Sequence, residues 1–268
     1  MLSLLHNHIP DAVLVSVGPL TLHWYGIVML LAIIAGLAVT LKLAPRFGVK
    51  KNDVWDLSFW LVLGAIIGAR VYEVFLFFDY YRRFPSDIIM VWQGGLAIHG
   101  AWLGGLLVLL IFCRRRKLPI LKLLDLVSLG LILGQAIGRW GNYFNQELFG
   151  MPTDLPWGIP ISVPLRPIGF KHTEYFHPTF LYESILNFIA FCVLWLVLKF
   201  KKHDGVLFFA YLFLYSLIRF SLEYIRLDDT SVLLGLRWPQ VMSVIAMLVS
   251  IAGFMWITWR QKYSRSAQ

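Results

Sequence analysis

Residues 24–41 read WYGIVMLLAIIAGLAVTL, an apolar run without a charged side chain that is long enough to cross a membrane as an α-helix. Similar runs recur along the chain, and most charged residues lie in short clusters between them. In hydrocarbon each backbone amide needs a partner within its own segment, so spans of this length are helices. The pattern predicts seven spans, at residues 23–43, 54–78, 96–113, 119–137, 179–199, 205–226 and 238–259.

The composition is that of an integral membrane protein rather than a soluble one. Of the 268 residues 59% are hydrophobic and 15% are charged, whereas soluble domains carry about a quarter charged residues. We therefore predict one all-α polytopic domain over residues 1–268, with residues 138–178 forming an extracytoplasmic loop or head between the fourth and fifth spans. The net charge of +9 is assigned to loops that set topology, and no nucleic-acid partner is expected.

The basic residues predict the orientation of these spans. Fifteen of the 24 Lys and Arg lie in the links after spans one, three and five and in the C-terminal tail, and seven lie on the opposite side. Because cytoplasmic loops are enriched in Lys and Arg, the N-terminus is predicted outside and the C-terminus in the cytoplasm.

Polar residues that topology does not explain fall at one level, the outer end of the predicted spans. Arg219 and Glu223 are four residues apart and Glu223 and Arg226 are three apart, so the three share a helix face. Charges in membrane helices are costly and usually pair inside the bundle. Ion pairs that hold helices together would account for Arg70 and Glu73, but they do not account for the whole set. The set comprises Tyr25, Arg70, Glu73, His99, Arg139, Asn142, Asn145, Glu147, His177, Tyr182, Glu183, Arg219, Glu223 and Arg226.

The densest polar segment, residues 138–150, reads GRWGNYFNQELFG. The planar donor fork of Arg139 suits a phosphate, and the glycines permit close backbone approach. The alternative is a polar loop that satisfies its own backbone. His99 opens the third span, where an imidazole either makes a structural hydrogen bond or accepts a proton in catalysis. The sequence has no zinc, P-loop or nucleophile-elbow motif and no Asp cluster, so neither a metal nor a cofactor is expected.

Several blocks of the chain, in order, resemble the bacterial prolipoprotein diacylglyceryl transferases. Residues 138–150 resemble the family's G-R-x-G-N-[FY]-x-N-x-E-x-x-G signature, which is specific; the shorter blocks gain weight from their order. Asp228 stands where the family has Pro, and Glu73 where it has a neutral residue. The shorter blocks are Trp24–Gly26, Gly94–Gly100 (G-G-x-x-x-H-G), His177–Glu183 (H-P-x-x-x-Y-E), Tyr215–Arg226 (Y-x-x-x-R-F-x-x-E-x-x-R), and Gln240 with Ser243.

The resemblance implies a seven-span enzyme of the bacterial plasma membrane whose site faces the periplasm or cell exterior. Its expected substrates are phosphatidylglycerol and the lipobox cysteine of a preprolipoprotein signal peptide, and its expected products are a thioether and glycerol 1-phosphate. As a mechanistic hypothesis for this reaction, His99 is the general base, with the substrate phosphate or Tyr25 as alternatives, and Arg139 and Arg219 are the phosphate ligands. Expected substrate-binding residues are Tyr25, Asn142, Asn145, Glu147, Gly150, Tyr215, Glu223 and Arg226.

Three alternatives remain open from the sequence. A lipid transporter or flippase usually carries its ionisable groups near the bilayer midplane in repeated halves, which this chain lacks. A structural membrane protein would use its Arg and Glu residues only to hold helices together. Another phospholipid headgroup transferase is closest in chemistry, but the usual metal-dependent kind needs an Asp cluster.

Overall fold

A computed structural model describes residues 5–18 and 20–266, with only the backbone described at residues 20, 93 and 261–266. Two of the basic tail residues that predict the orientation, Lys262 and Arg265, are therefore described only by their backbone. The described chain is mostly helical. Its helices are α1 (Trp24–Leu43), α2 (Lys51–Leu76), α3 (Phe78–Arg83), α4 (Ile98–Arg116), α5 (Ile120–Phe144), α6 (Thr179–Phe200), α7 (Val206–Leu222) and α8 (Trp238–Ser266).

Six of these helices are long and apolar enough to cross a membrane, and α7 is a shorter apolar helix. This confirms the prediction of an all-α, multi-span membrane protein. Three short antiparallel strand pairs connect the helices within the described residues. They are β1 (Val13–Val17) with β2 (Leu20–His23), β3 (Ile159–Pro160) with β4 (Tyr175–Phe176), and β5 (Val232–Leu233) with β6 (Leu236–Arg237).

Three predicted span ends differ from the helix ends by four residues or more: α8 continues to Ser266 rather than ending at residue 259, and the other two ends lie beside charged residues of the first unit. Helix α5 continues to Phe144 rather than ending at residue 137, so Arg139 and Asn142 lie on a helix and not in a loop. The helix continues because the charge of Arg139 is neutralised within the bundle by Glu183. Helix α7 ends at Leu222 rather than at residue 226, because the backbone beyond it pairs with residues 150 and 151.

The chain divides into two compact units. The first comprises the chain up to Val39 and from Val127 onward, and the second comprises Thr40–Leu126. In the first unit buried hydroxyls tie helices together: Ser184 Oγ donates to the Ala136 carbonyl at 2.6 Å, and Ser250 Oγ donates to the Phe209 carbonyl at 2.6 Å. An apolar core beside the helix ends includes Phe149, Ile159, Ile161, Phe176 and Phe180.

In the second unit α2 and α4 pack backbone to backbone along a row of glycines. A Cβ added at Gly68 or Gly104 would collide with the main chain of the facing helix. This close approach requires glycine at both positions, and it fixes α4 and its first turn, which carries His99, against α2.

Arg70 connects α2 to the loop that leads into α4. Its Nε donates to the Ile88 carbonyl at 2.9 Å, its Nη1 donates to the carbonyls of Gly94 at 2.8 Å and Gly95 at 2.7 Å, and its Nη2 donates to the Asp87 carbonyl. Arg70 therefore binds main-chain oxygens, and the predicted pairing with Glu73 is wrong. A single buried guanidinium thus holds the glycine-rich segment that precedes His99.

Candidate active site

A continuous network of buried ion pairs lies in the first unit, where the ends of α5, α6 and α7 meet. Arg139 Nη2 on α5 lies 2.6 Å from Glu183 Oε1 on α6. The other oxygen of Glu183 lies 3.9 Å from Arg226 Nη1 beyond the end of α7. Glu183 is 1% exposed, so it joins Arg139 and Arg226 away from water.

Glu223 is the second centre of this network and is fully buried. Its carboxylate lies 2.7 Å from Arg219 Nη2, 3.2 Å from Arg237 Nε and 3.7 Å from Arg226 Nε. The pairings of Glu223 with Arg219 and with Arg226 were predicted from spacing and are confirmed. Arg226 Nε also lies 2.8 Å from Asp228 Oδ1, so Asp228 provides a further negative charge beside the Arg226 guanidinium.

The arginines of the network outnumber the carboxylates that pair with them directly. Four arginines, Arg139, Arg219, Arg226 and Arg237, share three carboxylates, those of Glu183, Glu223 and Asp228. The direct ion pairs therefore leave one positive charge, which Glu147 opposes from the far side of Asn142, and Arg219 Nη1 is a buried donor without a hydrogen-bond partner. Buried cationic donors of this kind are suited to bind an anion.

The polar residues of the 138–150 segment form a chain of hydrogen bonds that begins at Arg139. Its Nη1 donates to Asn142 Oδ1 at 3.4 Å, and Asn142 Nδ2 donates to Glu147 Oε1 at 2.8 Å. Asn145 Nδ2 lies 3.4 Å from the same oxygen of Glu147. Asn142 and Glu147 thus orient Arg139 from one side, while Glu183 holds Arg139 from the other. Tyr215 on α7 also lies within hydrogen-bonding reach of the Arg139 guanidinium.

Tyr25 lies against the same segment. A Cβ added at Gly141 would stand 2.8 Å from the Tyr25 ring, so the ring rests on the backbone of α5 two residues from Arg139. Because Glu147 and Arg139 both act electrostatically on the Tyr25 hydroxyl, Tyr25 belongs to the surroundings of the cluster.

Gly150 and His177 join the cluster to the segment that precedes α6. Gly150 N donates to the His177 carbonyl at 2.9 Å, and Gly150 is bridged to Arg226. Trp157 Nε1 donates to the Tyr182 hydroxyl at 2.8 Å, and this hydroxyl lies 3.1 Å from His177 Nδ1. Burial lowers the pKa of the His177 imidazole below its usual value, which favours the neutral ring that can accept from Tyr182.

The structure thus brings together every predicted site residue of the first unit. His99 belongs to the second unit, where it lies in the first turn of α4 with its ring centroid 6.0 Å from that of Tyr72. Three members of the cluster were not among the predicted site residues: Glu183, Asp228 and Arg237. Glu183 was already in the set of polar residues at the outer helix ends, although no substrate role was assigned to it, whereas nothing in the sequence separated Arg237 from an ordinary loop arginine.

Comparison with known proteins assigns the chain to a family. A family model described as prolipoprotein diacylglyceryl transferase matches residues 12–256. The chain belongs to the prolipoprotein diacylglyceryl transferase family. The phosphatidylglycerol–prolipoprotein diacylglyceryl transferase of Trichormus variabilis is 45% identical over 261 residues, covering 94% of this chain and 92% of the relative. Transferases of the same name from Synechococcus elongatus and Parasynechococcus marenigrum are 44% and 40% identical, covering 92% and 94% of this chain and 88% and 96% of their own lengths.

Membership of this transferase family confirms the resemblance found in the sequence and the expectation of an enzyme. It disfavours the transporter and the purely structural alternatives. The signature segment of the diacylglyceryl transferase resemblance, residues 138–150, is the segment that holds Arg139 in the cluster.

Gly150 allows a test of how closely the cluster depends on backbone packing. A Cβ at Gly150 would stand 2.7 Å from the Ile225 carbonyl oxygen and 2.8 Å from His177 Cβ, so Gly150→Ala must separate the segments that carry Arg226 and His177. We expect it to lower the free energy of unfolding by about 1–3 kcal/mol, measured by thermal unfolding in detergent, and to reduce transferase activity.

The matched control is Gly169→Ala, because a Cβ there has nothing within 4 Å. This variant should unfold and react as the parent does. If Gly150→Ala and Gly169→Ala behave alike, the close packing at Gly150 does not hold the cluster.

Proposed function

We propose that this protein transfers the diacylglyceryl group of phosphatidylglycerol to the thiol of a lipobox cysteine in a preprolipoprotein. The proposal rests on one observation above all: an arginine cluster around buried carboxylates that includes a buried, unpaired Arg219 donor, in a chain of this family. The phosphodiester of phosphatidylglycerol is an anion whose oxygens can accept a hydrogen bond from this donor.

The reaction proposed breaks a carbon–oxygen bond on the lipid side of the phosphate. The cysteine thiolate attacks the terminal glyceryl carbon of the diacylglyceryl group, a carbon–sulfur bond forms, and glycerol 1-phosphate leaves with the electron pair of the broken bond. The charge that develops on the leaving phosphate is offset by Arg139 and Arg219, because preorganised cationic donors act strongly where water is excluded. The thiol proton passes to a base.

The other residues of the cluster hold these two arginines in position. Glu183 and Asn142 fix the fork of Arg139, and Glu223 fixes one edge of Arg219 while leaving Nη1 free. We assign Tyr25, Asn145, Glu147, Tyr215 and Arg226 to binding of the phosphoglycerol head or to support of the segment that binds it. Gly150 allows its backbone to lie close to the Ile225 carbonyl and to His177.

His99 is proposed as the base that accepts the thiol proton. An imidazole exchanges protons near neutral pH, so it can accept the proton of a thiol. We expect His99→Gln to lower the rate at neutral pH by about 10²–10³-fold and to recover part of it at higher pH, where the thiolate forms without a base. A pH–rate profile of the transfer reaction measures this, and a profile parallel to that of the parent would assign the proton to the phosphate or to Tyr25.

We propose that the protein resides in the bacterial plasma membrane with the cluster facing the periplasm or cell exterior, its N-terminus outside and its C-terminus in the cytoplasm. The charge asymmetry of the loops supports this orientation. Labelling of single cysteines introduced at residues 203 and 169 with a membrane-impermeant thiol reagent distinguishes the two sides.

A transfer assay tests the proposed function directly. Purified protein in detergent is mixed with labelled phosphatidylglycerol and a peptide that carries one lipobox cysteine. We expect a thioether-linked diacylglyceryl peptide that is absent when the peptide carries Cys→Ser. If phosphatidylglycerol binds but is never consumed, the proposal is wrong and lipid movement across the bilayer becomes the function to measure.

A further inference from the structure

A second polar layer lies one helical turn below the arginine cluster in the first unit. Gln135 on α5 precedes Arg139 by four residues, Asn187 on α6 follows Glu183 by four, and Tyr211 on α7 precedes Tyr215 by four. Arg139 contacts Glu183 while Ala136 contacts Ser184, so α5 and α6 run in opposite directions, and Gln135 contacts Tyr211 as Arg139 contacts Tyr215; the three steps therefore run the same way, away from the cluster. The layer is neutral, whereas the one above it is charged.

Contacts between the helices support this alignment of Gln135, Asn187 and Tyr211. Gln135 Nε2 donates to the Tyr211 hydroxyl at 3.1 Å, as Arg139 lies within reach of Tyr215 one turn above. The rings of Tyr211 and Tyr215 are stacked with centroids 6.0 Å apart, so both face the same side of α7. On α6, Ser184 donates to the Ala136 carbonyl of α5, so Asn187, three residues farther from the cluster, lies within one helical turn of the level of Gln135.

The layer holds polar atoms that the protein itself does not satisfy. Asn187 is fully buried, yet neither its Nδ2 nor its Oδ1 has a hydrogen-bond partner, and Gln135 Oε1 is likewise unpaired. Buried amides of this kind are rare in folded proteins because losing water without gaining a partner is unfavourable. Because the Tyr211 hydroxyl accepts from Gln135, its own proton is available for another acceptor.

We propose that this layer binds the ester carbonyls of the diacylglyceryl group, with Asn187 Nδ2 and the Tyr211 hydroxyl as donors; the assignment rests on the proposed function. In a diacyl phospholipid the ester carbonyls lie between the phosphate and the acyl chains. When the phosphate lies in the arginine cluster, the carbonyls extend toward the acyl chains, and one turn of helix advances 5.4 Å in that direction. A water beside the lipid would donate to the amide oxygens of Gln135 and Asn187.

The consequence is a preference for ester-linked over ether-linked lipid, because an ether oxygen is a weaker acceptor in a different position. The test measures binding and transfer with phosphatidylglycerol and with its dialkyl ether analogue, for the parent and for Asn187→Leu. We expect the parent to bind the ester lipid about tenfold more tightly, and Asn187→Leu to lose this difference by weakening only ester binding. Binding is followed by the rise in unfolding temperature with added lipid, so it does not depend on turnover.

The thermal stability of lipid-free Asn187→Leu distinguishes binding from a structural role. Since leucine removes an unsatisfied amide, we expect the lipid-free variant to be as stable as the parent or more so. Ser250→Ala is the control, because it removes a satisfied buried hydrogen bond of the same unit and should lower stability without changing the ester-to-ether ratio. A polar layer that serves only structure predicts the opposite: lower stability for Asn187→Leu and equal losses with both lipids.

The outcomes also separate this proposal from the proposed function. A parent that prefers the ester lipid in binding but makes no thioether would contradict the transferase assignment and keep the carbonyl site. A parent that makes thioether from both lipids with equal affinity and rate would contradict the carbonyl site and keep the transferase.

Discussion

The Arg139→Lys variant is expected to transfer diacylglyceryl groups at about one hundredth of the parental rate or less. Lysine keeps the charge, but it replaces a planar fork with a single ammonium. Arg139 uses its fork on Glu183 at 2.6 Å and on Asn142 at 3.4 Å, and it lies within reach of Tyr215. An ammonium cannot hold these partners and a phosphate together. Initial rates with labelled phosphatidylglycerol and a lipobox peptide measure the effect.

The same substitution at Arg116 provides the control. Arg116 is about half exposed and pairs with Asp53 and Asp56 in the second unit, so it has the same chemistry in a solvated setting. Arg116→Lys should retain the parental rate, since exposed ion pairs contribute little. A rate for Arg139→Lys within threefold of the parent would mean that charge alone suffices at this position.

Glu223→Gln is expected to lower the free energy of unfolding by about 3–5 kcal/mol and to abolish most transfer. Glu223 is fully buried and compensates parts of three guanidinium groups, those of Arg219, Arg226 and Arg237. Without its charge these three guanidinium groups, none of them more than 22% exposed, repel one another with little screening by water. Denaturation in detergent measures the loss of stability, and the transfer assay measures the loss of activity.

Asp228→Asn is the matched control, because Asp228 also contacts Arg226 and Arg237 but is 26% exposed. Water can replace part of its interaction, so we expect a loss of about 1 kcal/mol or less. Equal destabilisation by Glu223→Gln and Asp228→Asn would show that the buried carboxylate is not the centre of the network. The family resemblance predicts proline at position 228. This chain has Asp228 there, and its carboxylate forms the ion pairs with Arg226 and Arg237, which proline cannot form.

The helices were predictable because hydropathy responds to length and composition, which the bilayer constrains directly. The run at residues 24–41 falls inside α1, and the predicted spans fall close to the six long helices and α7. The errors occurred at charged ends. Arg139 was predicted to begin a loop because its partner Glu183 lies 44 positions farther along the chain. A hydropathy pattern does not detect that a distant carboxylate neutralises the arginine.

The candidate site was predictable where its contacts are local and was missed where they are distant. Arg219, Glu223 and Arg226 lie within two turns, so their spacing revealed their pairing. Arg237 reaches Glu223 only through the hairpin of β5 and β6, and its bonds to the carbonyls of Glu223 and Arg226 depend on that fold. Arg70 was misassigned for the same reason, since its partners are main-chain oxygens that have no sequence signature.

The four carbonyls held by Arg70 have a consequence for how the protein enters the membrane. All four belong to residues 87–95, which the ribosome makes after α2 is complete. During synthesis α2 therefore reaches the bilayer with an uncompensated guanidinium in its last two turns; a charge at a helix centre costs about 2.5–3.5 kcal/mol on insertion scales, and one nearer the end costs less. Its stable insertion depends on the next segment of the nascent chain, so α2 and the 87–95 loop should be integrated by the translocon as one unit rather than helix by helix.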